Sequence, residues 1–164
     1  MIIVRATTED APEILVLQRL AYQSEAEIYN DYSIAPLTQA LEELERDFEE
    51  YLYLKAVVHD RMIGAVRGRM RGDACEVGRL IVDPEYQSQG IGSKLMKEIE
   101  GSFPDAHQFQ VFTGHKSKRN IILYQKLGYK ISEIEPFKGE LRLMHLTKQI
   151  QAAALPQAGD PPST

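Results

Sequence analysis

The sequence predicts an α/β (α+β) domain with a mixed, mostly antiparallel central sheet of about seven strands flanked by about four helices. Three observations carry this. Between Tyr51 and Val82, three apolar runs (YLYLKAVV, MIGAVRGRM and ACEVGRLIV) are joined only by the short polar turns His59-Asp60-Arg61 and Arg71-Gly72-Asp73, the pattern of an antiparallel meander. The last run then passes through a glycine-containing connection into a helical stretch and on to QFQVF, a strand–helix–strand unit. Finally, 43% hydrophobic and 26% charged residues over 164 positions are globular values, with enough chain for one domain with a real core.

The elements follow in order. Ile2 to Arg5 reads as a short first strand. Thr8 opens a helix with Asp10 in its acidic first turn and Ile14, Leu15, Leu17, Leu20 and Ala21 as its apolar stripe. SEAEIYNDYSIAPLTQ continues or breaks that helix and ends in a loop at Pro36. Thr38 opens a second helix, TQALEELERDFEE, with Leu41, Leu44 and Phe48 on one face. After the meander, the helix that begins at the glycines carries Ile91, Leu95, Met96 and Ile99 on one side and ends at Phe103-Pro104. HKSKRNIILYQKLGY holds a further helix, with Ser117 as N-cap and Gly128 as its stop. Strands over 129–134 and 140–146 complete a single domain spanning 1–148. The Ala- and Pro-rich tail, 149–164, lacks periodicity and is expected to be flexible.

Several function classes are disfavoured at once. A net charge of -5 argues against a nucleic-acid partner, which needs a basic face. No run is apolar and long enough to span a bilayer, and the N-terminus lacks the features of a signal peptide, so no membrane partner and a cytoplasmic location are expected. The one cysteine, Cys75, forms no internal disulfide and reads as a small buried hydrophobe rather than a nucleophile. His107, His115 and His145 have no ligand spacing with cysteine or carboxylate, so no metal is expected. The last strands and the tail are the expected contacts of a homodimer.

The stretch with the strongest chemical signal is VDPEYQSQGIGSKLM, from Val82 to Met96. Glycines cost stability within a helix, so Gly90 and Gly92 at a strand-to-helix junction imply that something approaches the backbone closely. A helix N-terminus suits an anion there. A dinucleotide-binding loop needs a third glycine where Leu95 stands, and the Gly92-Ser93-Lys94 order is wrong for a P-loop. What remains is Gln87-x-x-Gly90-x-Gly92 directly after a buried strand ending Val82-Asp83-Pro84.

RLIVDPEYQSQGIGSKLM resembles the acetyl-CoA-binding motif of the GNAT superfamily of N-acetyltransferases. SKRNIILYQKLGY, about 30 residues on, is similar to that family's helix ending in Tyr-x-Lys-x-Gly-Phe/Tyr. The resemblance implies a GNAT-like fold and direct transfer of an acetyl group from acetyl-CoA to a primary amine of a small molecule or peptide, within a ternary complex. Main-chain amides from Gln87 through Ser88, Gln89, Gly90, Ile91, Gly92 and Ser93 would cradle the pyrophosphate. Leu80 would offer its N–H to the acetyl carbonyl, and Val82 would pair with the pantetheine arm. Many relatives carry Asn seven residues before the tyrosine. Here Ser117 stands there and Asn120 three residues later, a departure from the family pattern that leaves this cofactor contact open between Ser117 and Asn120. Tyr124 occupies the position of the general acid that reprotonates the thiolate.

Glu76 matches where some members hold a catalytic glutamate, and alternation along the strand places it on the face of Gly78, Leu80 and Val82. Four strand residues span about 13 Å, so Glu76 would act through water. The alternative is a salt bridge to Arg67, Arg69 or Arg71. Glu25, Tyr29 and Tyr32, with Glu27 and Asp31, lie in a loop-like stretch dense in carboxylates and phenols, suited to a cationic acceptor. A non-catalytic acyl-CoA-binding sensor or interaction module on the same fold is the competing expectation.

Overall fold

A computed structural model describes residues 1–150. Its elements in chain order are β1 (Ile2–Arg5), α1 (Ala11–Ala21), α2 (Gln23–Tyr29), α3 (Ala35–Thr38), α4 (Leu41–Glu50), β2 (Leu52–Val58), β3 (Arg61–Arg71), β4 (Ala74–Val82), α5 (Ile91–Gly101), β5 (Gln108–Gly114), α6 (Lys118–Lys126), β6 (Lys130–Lys138) and β7 (Leu141–Gln149). One seven-stranded sheet runs in the order β1-β2-β3-β4-β5-β7-β6. Every neighbouring pair is antiparallel except β4–β5. The mixed, mostly antiparallel sheet is thus as the sequence predicts.

Local chemistry explains the connections. The β2–β3 hairpin closes on His59 and Asp60, both at positive φ, between paired Val58 and Arg61. That two-residue turn matches the twist of the flanking strands. Gly72 at φ 62 turns β3 into β4. Gly128 at φ 98 closes α6, and the Tyr129 amide reaches back to the Tyr124 carbonyl at 3.0 Å.

The helices depart from expectation in three places. SEAEIYNDY is helical as far as Tyr29, because Ala26 is fully buried and anchors a turn of its own, and Asn30 then ends α2 in the left-handed conformation. Thr38 closes the short α3 instead of opening the next helix. Gln39 and Ala40 are extended, so α4 starts at Leu41. The described residues hold six α-helical segments, α3 only one turn long, where about four helices are expected. The expected tail boundary at 149 also moves, since Gln149 pairs with Gln108 in the sheet. Residues 151–164 lie outside the described residues.

Two cores flank the sheet. One packs β2–β5 and β7 against α5 and α6 around Ile63, Val66, Leu95, Met96, Ile99, Phe109, Tyr124 and Tyr129. The other packs the opposite face against α1 and α4 through Ile14, Leu17, Leu44, Tyr53, Ala65 and Ile81. Gly64 and Gly68 bring α5 close to the sheet: a Cβ at Gly64 would lie 2.9 Å from Leu95, and one at Gly68 the same distance from Phe103.

Cys75 belongs to the first core. Burial, above all, pushes its thiol from 9.0 up to about 12. A group whose folded pKa is raised contributes stability that is fully present below its unfolded value. That stability is lost as pH climbs through the folded value. The melting temperature is therefore expected to hold up to about pH 9 and then fall. Cys75→Ala should lower it at neutral pH through lost packing, yet flatten the decline just above pH 9. A decline of unchanged slope in the variant, measured by thermal unfolding across pH, would assign it to other groups.

Candidate active site

The site begins where β4 and β5 part. They pair only at Ala74–Gln108, Cys75–Phe109 and Glu76–Gln110. Beyond Glu76 the strands diverge, while β4 stays paired to β3 through Ile81–Ala65 and Val82–Gly64. The edge of β4 facing β5 from Val77 to Val82 is therefore without a strand partner, and its main-chain groups line a cleft. Among the described residues, this is the one place in the sheet where two neighbours separate part-way along their length.

A bulge in β4 sets what faces that cleft. Gly78 pairs with Arg67 and Ile81 with Ala65, so Arg79 and Leu80 together oppose Val66. Arg79 adopts φ 49, a left-handed conformation that is costly for a non-glycine residue. The extra residue inverts the alternation. Cys75 and Val77 join the α5–α6 core, and so do Leu80 and Val82, while Ile81 joins the α1–α4 core. Glu76 is thus on the opposite face from the Leu80 and Val82 side chains, contrary to the alternation rule. Its carboxylate lies 3.1 Å from Arg71 Nε and 3.7 Å from Arg69. Arg67 pairs instead with Asp47 at 2.9 Å. The structure does not bring Glu76 to Leu80.

The glycine turn closes the cleft at one end. Asp83 accepts from the Glu85 amide at 2.9 Å and shapes a short 3-10 turn over Pro84–Tyr86. Gln87, Ser88 and Gln89 follow, with Ser88 at φ 64. Gly90, at φ 80, is the N-cap of α5, and its carbonyl accepts from Lys94 N at 3.1 Å. The amides of Ile91, Gly92 and Ser93 are first-turn donors with no intrahelical acceptor. A Cβ at Gly90 would meet nothing within 4 Å, so this backbone is open. One at Gly92 would instead reach Leu123 at 3.4 Å and Leu80 at 3.7 Å, placing Gly92 over the apolar floor between β4 and α6. Arg119 of α6 donates to the Gln87 side chain at 2.8 Å and spans the mouth. Open, preorganised donors at a helix N-terminus beside a strand edge fit a pyrophosphate with an extended amide-containing arm.

At the other end, α2 meets the start of α6. Ser117 is the buried N-cap of α6, as predicted, but its hydroxyl donates to Glu25 rather than to the helix backbone. The Tyr29 hydroxyl lies 2.7 Å from Ser117 Oγ and accepts from the Lys116 amide at 3.0 Å. Asn120 Nδ2 donates to Thr113 Oγ1 at 3.2 Å and to Glu25 at 3.4 Å. A carboxylate at a helix N-terminus is favoured by the dipole. Glu25 and Tyr29 from the expected acceptor stretch therefore join Ser117 and Asn120 from the expected cofactor set in one network. Tyr32 does not take part; it is 54% exposed.

Tyr124 lies on α6 inside the first core, its ring 5.9 Å from that of Tyr129. Burial, foremost, pushes its phenol well above the usual range, with Tyr22 and Glu25 adding to the rise. Its hydroxyl makes no hydrogen bond to any described residue. Tyr22, Thr113 and Arg119 were not singled out from sequence, because polar residues at scattered positions carry no periodic signal. Arg79 had one: a charge between Gly78 and Leu80 in an otherwise apolar run.

Comparison with known proteins gives the family and the fold. The family described as an acetyltransferase (GNAT) domain matches residues 19–150. The Bacillus subtilis protein YrkN is 45% identical over 53 residues, 32% of this chain and 29% of YrkN. The chain spans about a third of the length of the curated relatives it matches. Among solved structures, smu.2055 of Streptococcus mutans superposes with a TM-score of 0.78 at 15% identity, over 91% of this chain and 99% of that one. A PaiA N-acetyltransferase of Thermoplasma acidophilum, solved in complex with coenzyme A, superposes with a TM-score of 0.73 at 19% identity, over 92% and 100%. At these identities the structural likeness speaks for the fold.

Proposed function

The chain belongs to the GNAT acetyltransferase family, and from that premise we propose that it moves an acetyl group from acetyl-CoA directly to a primary amine. The observation that carries this reading is the β4 edge left free by the strand divergence, ending at the open Gly90 turn. A donor with an anionic head and an amide-bearing arm can lie along it, its head at 87–93 and its arm beside Val82. The thioester then comes beside the Leu80 main chain and the Tyr124 hydroxyl. Ser117 and Asn120 are held in place by Glu25 and Thr113.

The chemistry follows from these placements. The acceptor arrives as an ammonium and must lose a proton before its nitrogen lone pair can attack. In this reading Glu25, which accepts from Ser117 and Asn120, holds the ammonium and takes that proton. The nitrogen bonds to the thioester carbonyl carbon, and the Leu80 N–H stabilises the oxygen as it gains charge. Collapse breaks the carbon–sulfur bond, and the departing sulfur takes the phenolic proton of Tyr124. The surplus proton on nitrogen returns through water to Tyr124. Amine and acetyl thioester become amide and thiol, with one proton released per ammonium consumed. Glu76, tied to Arg69 and Arg71, takes the structural role in this scheme.

The test is thiol release from acetyl-CoA over a panel of amines. Amine-dependent release with an acetylated product in the mass spectrum is expected. Tight acetyl-CoA binding without release for any amine would instead support the acyl-CoA-binding module.

A further inference from the structure

Acetyl transfer to an ammonium leaves one proton on Glu25 in every turnover, and that proton must depart before the next. The hydrogen bonds around Glu25 provide a way out. Both of its oxygens are engaged: Oε1 accepts from Asn120 Nδ2 at 3.4 Å, and Oε2 accepts from the Ser117 hydroxyl. An ionised carboxylate only accepts, so the Ser117 hydrogen is committed to it. The Tyr29 hydroxyl, 2.7 Å from Ser117 Oγ, is then the donor of that pair, while its own oxygen accepts from the Lys116 amide at 3.0 Å. The chain from Tyr29 through Ser117 to Glu25 therefore runs in one direction. Ser117, its middle member, is 2% exposed and closed to bulk water.

The far end of this chain opens on a cavity. Half-buried Tyr29 lines a space of about 420 Å³ with Asp31, His115, Lys116, Lys138 and Glu140, between the end of α2 and the β6–β7 turn. A cavity this large and this polar holds water. The residue against the Tyr29 ring is Gly114, at the end of β5. Its φ is not positive, so the backbone does not call for glycine there, and glycine weakens a strand. Space accounts for it. A Cβ at Gly114 would collide with the Tyr29 hydroxyl and lie 2.5 Å from its Cζ. The strand gives up a side chain where the phenol must pass to reach Ser117.

Resting on the acetyl-transfer reading, we propose that Ser117 and Tyr29 carry the proton from Glu25 to this cavity. Once Glu25 is protonated, the chain reverses. Glu25 Oε2 gives its proton to Ser117 Oγ, Ser117 gives its own to the Tyr29 oxygen, and Tyr29 gives its own to cavity water. Each hydroxyl gains one hydrogen and loses one, so both end neutral. The carboxylate is ionised again and a hydronium leaves. Rotation of the two O–H bonds resets the chain. Tyr29 touches no reacting atom; it is a positioning residue that works through Ser117 and Glu25.

The experiment measures thiol release from acetyl-CoA, with primary amines from ethylamine to dipeptides, in wild type, Tyr29→Phe, Gly114→Ala and the variant carrying both changes. Each is assayed in rising triethanolamine at constant ionic strength; this tertiary amine takes protons but cannot be N-acetylated. Tyr29→Phe, which keeps the ring, should lower kcat about tenfold with the acetyl-CoA KM nearly unchanged. Triethanolamine should restore most of that loss and leave wild type unaffected, because an outside base then does the work of the chain. Gly114→Ala should match Tyr29→Phe by expelling the phenol, and the double variant should be no slower than either single one. Melting temperatures identify any variant that fails to fold; if Gly114→Ala does, Tyr29→Phe and its response to buffer decide. A Tyr29→Phe deficit that buffer does not repair would make Tyr29 only a tie between α2 and α6 and overturn the relay. So would a wild-type kcat in Tyr29→Phe, since Glu25 would then shed its proton directly to solvent; either result leaves acetyl transfer standing. No release by wild type with any of the amines would refute acetyl transfer itself, and the relay with it.

Discussion

Tyr124→Phe is expected to lower kcat by about 10²- to 10⁴-fold, the usual effect of removing a positioned proton donor. The change deletes one oxygen and keeps the ring that packs 5.9 Å from Tyr129. The lost hydroxyl has no hydrogen-bond partner among the described residues, so no buried group is orphaned and the stability change should stay below about 1 kcal/mol. Acetyl-CoA affinity should also hold, because the Gly90 turn and the β4 edge are untouched. The signature is a collapsed turnover number with a constant acetyl-CoA dissociation constant, read by thiol release and calorimetry. Burial keeps the phenol protonated beyond the ordinary tyrosine range, so wild-type kcat should show no loss near pH 10 from this group. Near wild-type turnover in the variant would mean that water supplies the proton.

Gly90→Val is expected to weaken acetyl-CoA binding by about a hundredfold or more, equivalent to roughly 2.7 kcal/mol. Two effects act together. Gly90 sits at φ 80, which a β-branched residue adopts only under strain. The valine would also project into the open space above the first-turn amides of α5, where the phosphates would approach. Gly90→Asn separates the effects, since asparagine tolerates the left-handed region but still adds a side chain. It should melt close to wild type and still bind poorly. Calorimetric dissociation constants equal to wild type in both variants would remove the phosphate cradle from this turn.

Much of this molecule was readable because its signals are local. The period-two apolar runs from Tyr51 to Val82, the polar turns at His59-Asp60 and Gly72-Asp73, and the Gly128 stop each follow from the conformational preferences of a few adjacent residues. The Gly90 turn belongs to the same class, since a glycine required at positive φ marks itself. The two motifs that carry the family resemblance are likewise short and contiguous. The α2 boundaries were less legible, because the stretch is polar and its helicity depends on burying Ala26 against the domain.

What only the tertiary structure decided is the placement of charge. Nothing around Arg79 announces that an arginine will take the left-handed conformation that elsewhere marks glycine, yet that one bulged residue moves Glu76 to the face opposite Leu80 and Val82. Alternation is a rule about an unbroken ladder, and it fails one residue past any insertion. The joining of Glu25 to Ser117 spans 92 positions and that of Arg67 to Asp47 spans 20, so each depends on which helix covers which face of the sheet. By itself, the sequence determined the strands, the turns and the open helix start, because backbone preferences act over a few bonds. The partners of its buried charges were settled by packing, because desolvation and Coulomb attraction depend on distances in space that the order of residues does not contain.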